Sequence, residues 1–295
     1  MKLTRAVFPV AGFGTRFLPA SKAIPKELIP LVDKPALQYV VEEAVGAGFT
    51  TAIFVTAEGK SAIEDHFDRS LRLEAFLAER GKDDLLAAVQ GVGELVEVVA
   101  VRQKQALGLG HAVLQAASLL ANEPFSVLLG DDVIVGEPPA ISRLVEVHGQ
   151  TGASVIALME VPEEEISHYG CAAVEPSSDG IFRIRDLVEK PHPSQAPSRM
   201  AVIGRYILTP TVLEELRQTP PDASGEIQLT EGLRRTLTRE AVYGCTFPGR
   251  RYDAGNKLDF LRATVELGLA HPELGHDFRR FLEELWRRDF RPTDL

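Results

Sequence analysis

The stretch that decides the fold is Ala6-Val7-Phe8-Pro9-Val10-Ala11-Gly12-Phe13-Gly14-Thr15-Arg16. Its first five residues form an apolar run of strand length, and the glycines at positions 12 and 14 predict a tight turn directly after it. Backbone N–H groups in such a turn face an anion readily, and the arginine at its end adds a planar fork of donors suited to phosphate. The stretch therefore predicts a buried strand followed by an anion-binding loop.

Beyond this loop, short apolar runs alternate with helical patterns through the first half of the chain. Strands are predicted at 52–55, 96–101 and 125–129, and helices at 37–48 and 109–120. Strands separated by helices are typical of an α/β fold with a parallel-dominated, mixed central sheet flanked by helices on both faces.

In such a sheet ligands bind beyond the carboxyl ends of the strands. Gly12, Gln103 and Asp131 each follow a predicted strand. We therefore expect these three residues to converge on one crevice.

The second half of the chain predicts more strands but no clear boundary between domains. No Ser/Gly-rich linker interrupts the sequence, so we expect a single domain over residues 1–295. The remaining predicted elements are strands at 153–158, 171–174 and 182–188, a charged helical excursion at about 66–95, and a C-terminal amphipathic helix at about 275–290.

Composition narrows the function classes. The 295 residues carry a formal net charge of −10, which disfavours a nucleic-acid binder, since such proteins need a basic surface to neutralise phosphates. Cys171 and Cys245 are too few for a disulfide framework and lack metal-site spacing. The first residues are too short an apolar run for a signal peptide, and no run is long enough to span a membrane. We therefore expect a cytoplasmic protein without a nucleic-acid or membrane partner.

Two familiar phosphate-binding motifs do not fit. A dinucleotide fingerprint needs glycine at position 17, which is Phe17. Gly59-Lys60-Ser61 resembles the end of a P-loop, but the first glycine of that motif would fall at Phe54, inside a predicted strand. The Gly12–Arg16 loop is therefore of a different kind.

The residues after the loop extend it into a longer motif. Gly12 to Pro35 reads Gly-x-Gly-Thr-Arg-x-x-Pro-x(5)-Pro-Lys-Glu-x-x-Pro-x-x-Asp-Lys-Pro. This string resembles the signature of the sugar-1-phosphate nucleotidyltransferase family, and within it the branch that transfers uridylyl groups. The resemblance continues along nearly the whole chain, through the segments 39–44, 62–68, 102–104, 108–112, 129–132, 189–191, 225–230 and 252–255.

The resemblance implies a Rossmann-like nucleotidyltransferase fold, with UTP and glucose 1-phosphate as substrates, Mg²⁺ as cofactor, and a homodimer or homotetramer. It implies direct attack of the sugar phosphate on UTP, giving UDP-glucose and pyrophosphate. The implied residues are Arg16, Lys26 and Lys190 for catalysis; Ala11, Gly12, Gly14, Thr15, Gln103 and Gly108 for the nucleotide; Asp132, Gly170, Glu189 and Glu226 for the sugar phosphate; and Asp131 and Asp253 for the metal. Within the sugar-phosphate group, the resemblance implies that Gly170, Glu189 and Glu226 contact the glucose hydroxyls.

Three other functions are compatible with parts of this pattern. A glucose-1-phosphate thymidylyltransferase shares the reaction, but the 66–95 stretch and Arg102-Gln103-Lys104 favour uridylyl transfer. A non-catalytic sugar-nucleotide sensor is expected to lose a cation or a metal carboxylate, and none is lost here. A glycosyltransferase also uses metal-binding aspartates, but the Gly12–Arg16 loop with Lys26 argues against it.

Overall fold

A nine-stranded sheet forms the centre of the computed structural model, which describes residues 3–289. Strands and helices are numbered in chain order. Across the sheet the strands lie in the order β5 (Glu97–Arg102), β4 (Thr51–Thr56), β1 (Arg5–Pro9), β6 (Phe125–Leu128), β11 (Met200–Leu208), β8 (Ser154–Glu160), β12 (Val242–Cys245), β10 (Ile181–Glu189) and β9 (Gly170–Ser178). Two small ribbons pair β7 (Asp132–Val135) with β13 (Arg250–Asp253), and β2 (Pro30–Leu31) with β3 (Lys34–Pro35).

Helices connect and cover these strands. They are α1 (Ala36–Gly46), α2 (Ser61–Phe67), α3 (Leu71–Glu79), α4 (Asp83–Gly93), α5 (Leu109–Gln115), α6 (Ala140–Thr151), α7 (Pro210–Gln218), α8 (Leu229–Thr236), α9 (Lys257–Ala270) and α10 (Gly275–Asp289). The stretch 66–95 contains the end of α2 and all of α3 and α4. Position 290, where the predicted C-terminal helix ends, lies outside the described residues. No helix within residues 3–289 has both the length and the apolar character needed to cross a bilayer.

Strand direction changes between the two halves of the sheet. β5, β4, β1 and β6 are parallel neighbours, as expected where helices connect successive strands. β11 runs antiparallel to β6 and β8, and β10 runs antiparallel to β12 and β9. Asp179 and Gly180, both with positive φ, form the two-residue turn that joins β9 to β10. The predicted mixed α/β fold is confirmed, but parallel pairing dominates only from β5 to β6; beyond β6 the neighbouring strands are antiparallel except for β8 and β12.

The first strand is buried on both faces, which explains why its sequence is apolar without alternation. Phe8 packs into one hydrophobic core with Phe54, while Val7 packs into a second core with Ile53 on the opposite face. The Phe8 and Phe54 rings lie 5.5 Å apart, within the range of favourable aromatic contact. The strand is therefore held rigidly and fixes where its following loop begins.

A buried ion pair ties this sheet to its helices. Arg205 on β11 is fully buried, and its Nη2 donates to Glu43 Oε2 of α1 at 2.7 Å. Glu43 also accepts the Ile141 N–H of α6 at 3.0 Å, and Arg205 donates to the Asp132 carbonyl at 2.5 Å. The guanidinium thus joins β11 to α1 and to the start of β7, and Glu43 extends the connection to α6. Two of the predicted site aspartates, Asp131 and Asp132, lie at the start of β7.

Glu43→Gln is expected to lower the free energy of unfolding by about 3–5 kcal/mol, because it leaves the Arg205 charge buried without its counter-charge. The matched control is Glu160→Gln, which removes an exposed partner of Arg199 and should cost less than about 1 kcal/mol. Urea unfolding followed by circular dichroism measures both. Equal losses in the two variants would contradict the importance of the buried pair.

Candidate active site

Two adjoining cavities open at the carboxyl ends of the parallel strands. Gln103 follows β5 directly, and Gly12 and Asp131 each follow their strand by three residues. One cavity, of about 360 Å³, is lined by the nucleotide residues expected from the sequence: Ala11, Gly12, Gly14, Thr15, Gln103 and Gly108. The other, of about 290 Å³, is lined by Arg16, Asp131, Asp132, Gly170, Glu189, Lys190 and Asp253. Glu226 lines both cavities.

Lys26 contacts one residue of each cavity, Asp131 of the second and Gly14 of the first. Its Nζ donates to Asp131 Oδ2 at 2.5 Å, while its aliphatic stem packs against Gly14. Gly14 has a φ of +65°, and a Cβ there would lie 3.0 Å from the Lys26 Cβ. A glycine is needed at this position because the backbone is left-handed and because a side chain would crowd the Lys26 side chain. Fourteen of the fifteen predicted site residues therefore line the two cavities, and the fifteenth, Lys26, contacts residues of both.

A second lysine, Lys60, binds the start of the loop from its buried side. The Nζ of Lys60 donates to the Val10 carbonyl at 2.5 Å and to Glu27 Oε2 at 2.9 Å, in a buried position. Burial raises the pKa of Glu27 and lowers that of Lys60, although their mutual attraction opposes both shifts. This pair joins the end of β1 to the segment that carries Lys26. Lys60 thus has a structural partner, in keeping with the failed P-loop match.

The two predicted metal-binding aspartates face each other across Gly255. A Cβ on Gly255 would lie 2.8 Å from Asp131 Oδ2 and 2.9 Å from Asp253 Oδ1, so only a residue without a side chain lets both carboxylates lie this close to the backbone. The Ala254 N–H donates to the Asp131 carbonyl at 2.7 Å and keeps the two segments together. Both aspartates also line the second cavity, so two negative charges border the same open space.

The two carboxylates differ in how well the protein compensates them. Burial acts to raise the pKa of Asp131, but the adjacent Lys26 ammonium outweighs it and lowers that pKa below its usual range. Burial raises the pKa of Asp253, and the negative charge of Asp131 raises it further against the opposing effect of Arg251. Asp253 is therefore the carboxylate that gains most from an added cation.

Sequence reasoning missed a third pairing in the crevice. Arg251 Nε donates to Asp132 Oδ1 at 2.5 Å, and its Nη1 donates to the Tyr169 hydroxyl at 3.0 Å. The other Asp132 oxygen accepts the Gly204 N–H at 2.9 Å, so protein donors bind both oxygens of this buried carboxylate. Arg251 and Asp253 lie two residues apart on a strand and share one face. That alternation is the sequence signal that would have found Arg251.

The remaining predicted residues are placed by strand pairing and by a short helix. Gly170 and Glu189 are cross-strand partners in β9 and β10, and Lys190 leaves the strand with a φ of +42°, a costly conformation for a non-glycine residue. Gln103 Nε2 lies 3.1 Å from the Gly108 carbonyl and 2.9 Å from His111 Nδ1. His111 thus contacts a residue of the nucleotide cavity.

Comparison with known proteins agrees with this geometry. Residues 6–268 match the family model described as nucleotidyl transferase. A UTP–glucose-1-phosphate uridylyltransferase of Staphylococcus epidermidis (strain ATCC 35984) is 45% identical over 284 residues, covering 96% of this chain and 99% of the relative.

Two solved structures are similar over most of their length. A UTP-bound UGPase from Acinetobacter baumannii has a TM-score of 0.90 and 40% identity, covering 96% of this chain and all of that one. A UDP-glucose pyrophosphorylase complexed with UDP-glucose has a TM-score of 0.83 and 40% identity, covering 90% of this chain and 98% of that one.

Proposed function

The chain belongs to the nucleotidyl transferase family, and on that premise we propose that it is a UTP–glucose-1-phosphate uridylyltransferase. Its relatives at 40–45% identity carry this activity in their names or bind UTP or UDP-glucose. The observation that carries the proposal is the Lys26–Asp131 contact, which places a lysine packed against Gly14 of one cavity beside a carboxylate of the other. One cavity suits a nucleotide, and the other suits a phosphorylated sugar.

In the proposed reaction a phosphate oxygen of glucose 1-phosphate attacks the α-phosphorus of UTP. The new P–O bond forms as the bond from the α-phosphorus to the bridging oxygen breaks, and pyrophosphate leaves with the electron pair. The attacking oxygen is already an anion at neutral pH, so no general base is needed. The products are UDP-glucose and pyrophosphate.

The main barrier is repulsion between the two phosphorylated substrates. Two unit charges 4 Å apart at an effective dielectric constant of about 20 repel by about 4 kcal/mol. We propose that Arg16 and Lys26 offset this repulsion on the triphosphate side and Lys190 on the sugar side. Burial acts to lower the pKa of Lys26, but Asp131 and Glu27 outweigh it and raise that pKa above its usual value. Lys26 therefore stays charged throughout the neutral range.

Lys26→Ala is expected to lower kcat by about 10²–10³-fold, since it removes a positioned cation next to the leaving pyrophosphate. Lys82→Ala, at an exposed lysine between α3 and α4, is the control and should leave kcat unchanged. Pyrophosphate release from UTP and glucose 1-phosphate measures both, with circular dichroism to confirm folding. A folded Lys26→Ala enzyme with wild-type kcat would show that the assigned role is wrong.

We propose Mg²⁺ as the cofactor, held by Asp131 and Asp253. Two carboxylates that line one cavity fit the oxygen ligands that Mg²⁺ prefers. Within residues 3–289 no group of three or more His, Cys, Asp or Glu side chains could hold a metal, so phosphate oxygens and water must complete the coordination. When bound, the ion neutralises phosphate charge.

Asp253→Asn is expected to raise the Mg²⁺ concentration for half-maximal rate by about tenfold or more, because a neutral amide is a weaker ligand than a carboxylate. Asp277→Asn, on an exposed turn of α10, should leave it unchanged. Initial rates over a range of free Mg²⁺ concentrations measure this, with chelator present in the zero-metal sample. Full activity in chelator would contradict the metal requirement.

We also propose that the chain forms a homodimer or homotetramer through α9. Leu258, Leu261 and Val265 recur on one side of this helix and are 57%, 60% and 37% exposed. Contiguous exposed apolar side chains of this kind are typical of protein interfaces. The cytoplasmic location expected from the sequence stays a prediction.

Leu261→Asp is expected to dissociate the oligomer, because it places a charge in the apolar interface. The control is Leu85→Asp, which alters an equally exposed leucine on α4 and should not change the oligomeric state. Sedimentation velocity at micromolar concentration distinguishes a 32.2 kDa monomer from larger species. A monomeric wild-type protein under these conditions would contradict the proposal.

A further inference from the structure

One side chain in the sugar cavity has no role in the reaction described above. Thr230, the second residue of α8, is 9% exposed and lines the same cavity as Glu189. Its hydroxyl donates to Glu189 Oε2 at 2.6 Å. A hydrogen bond from a hydroxyl to a charged carboxylate is of the stronger kind, so the contact restricts the Glu189 side chain.

Gly170 lies against this hydrogen bond. A Cβ at position 170 would lie 3.1 Å from Thr230 Oγ1 and 3.2 Å from Glu189 Oε2. The glycine therefore leaves open the space in which the threonine and the glutamate meet. Residues from β9, β10 and α8 together form one small polar floor of the cavity.

The hydroxyl of Thr230 is not required to dock its helix. Leu229 and Leu233 are 2% and 1% exposed and pack into one of the two hydrophobic cores. The start of α8 has no side-chain cap, and the threonine hydroxyl is directed at Glu189 instead. A purely structural role would be served equally well by valine, which has nearly the same shape.

We infer that Thr230 is a positioning residue that fixes Glu189 for recognition of the sugar hydroxyls, and so contributes to the choice of sugar. This inference rests on the proposed function. Oε2 accepts from the threonine, and Oε1 lies 3.7 Å from Lys190 Nζ, beyond hydrogen-bond distance, so Oε1 can accept a hydrogen bond from a sugar hydroxyl. The Thr230 oxygen, while it donates to Glu189, still has lone pairs that accept a hydrogen bond.

The test compares Thr230→Val, which removes only the hydroxyl, with Thr230→Ser, which keeps it. In Thr230→Val the KM for glucose 1-phosphate is expected to rise about tenfold, with little change in the KM for UTP. The ratio of kcat/KM for glucose 1-phosphate to that for its epimer galactose 1-phosphate is expected to fall by about the same factor. Thr230→Ser should stay within about twofold of wild type in each measurement.

A second comparison asks whether Thr230 acts through Glu189. In a Glu189→Gln background, Thr230→Val is expected to change the KM for glucose 1-phosphate by less than about twofold, because the group it positions is already altered. Thermal unfolding of all variants checks that the fold is intact.

Three results would overturn the inference in an active enzyme. They are equal losses in Thr230→Ser and Thr230→Val, a rise in both KM values together, and an undiminished effect of Thr230→Val in the Glu189→Gln background. Wild-type protein that releases no pyrophosphate from UTP and glucose 1-phosphate would contradict the proposed function itself, and this inference with it.

Discussion

The crevice depends on keeping three carboxylates together in a partly dry space. Asp131, Asp132 and Asp253 line one cavity, and like charges at such separations are stable only if each has a compensating partner. Lys26 pairs with Asp131, and Arg251 pairs with Asp132. Asp253 is compensated least, as its raised pKa indicates. One negative charge is therefore less compensated than the others. This supports the proposed binding of a cation together with phosphates.

These pairings also explain why distant segments of the chain must fold together. The lysine comes from the segment after β1, its aspartate follows β6, and the arginine lies on β13. Their positions are set by buried contacts outside the cavity. The Lys60–Glu27 pair holds the first segment, and the Arg205–Glu43 pair holds the start of β7. The electrostatic balance of the site is therefore inseparable from the packing of the sheet and its helices.

Much of this arrangement could be predicted from the sequence, because its signals are local. The apolar run in β1 and the two loop glycines specify the strand and the turn, and the strand-end positions of Gln103 and Asp131 specify the crevice. The contacts of Arg205 and Thr230 could not be predicted in the same way. Arg205 pairs with a residue 162 positions away, and Thr230 with one 41 positions away. Such partners become neighbours only through tertiary packing, and the hydrophobic periodicity of the sequence does not indicate them.

The two halves of the crevice are built on different kinds of structure, and this has a consequence for specificity. The nucleotide cavity is formed by loops after parallel strands, whose ends must converge for the sheet to exist. The sugar side includes Asp131 and Asp132, which follow β6, and adds the antiparallel pair β9–β10 and α8, with Gly170, Glu189 and Thr230 at their contact. The elements that carry Gly170, Glu189 and Thr230 carry neither Lys26 nor Asp131. The choice of sugar can therefore vary while the phosphate chemistry at Lys26 and Asp131 stays the same.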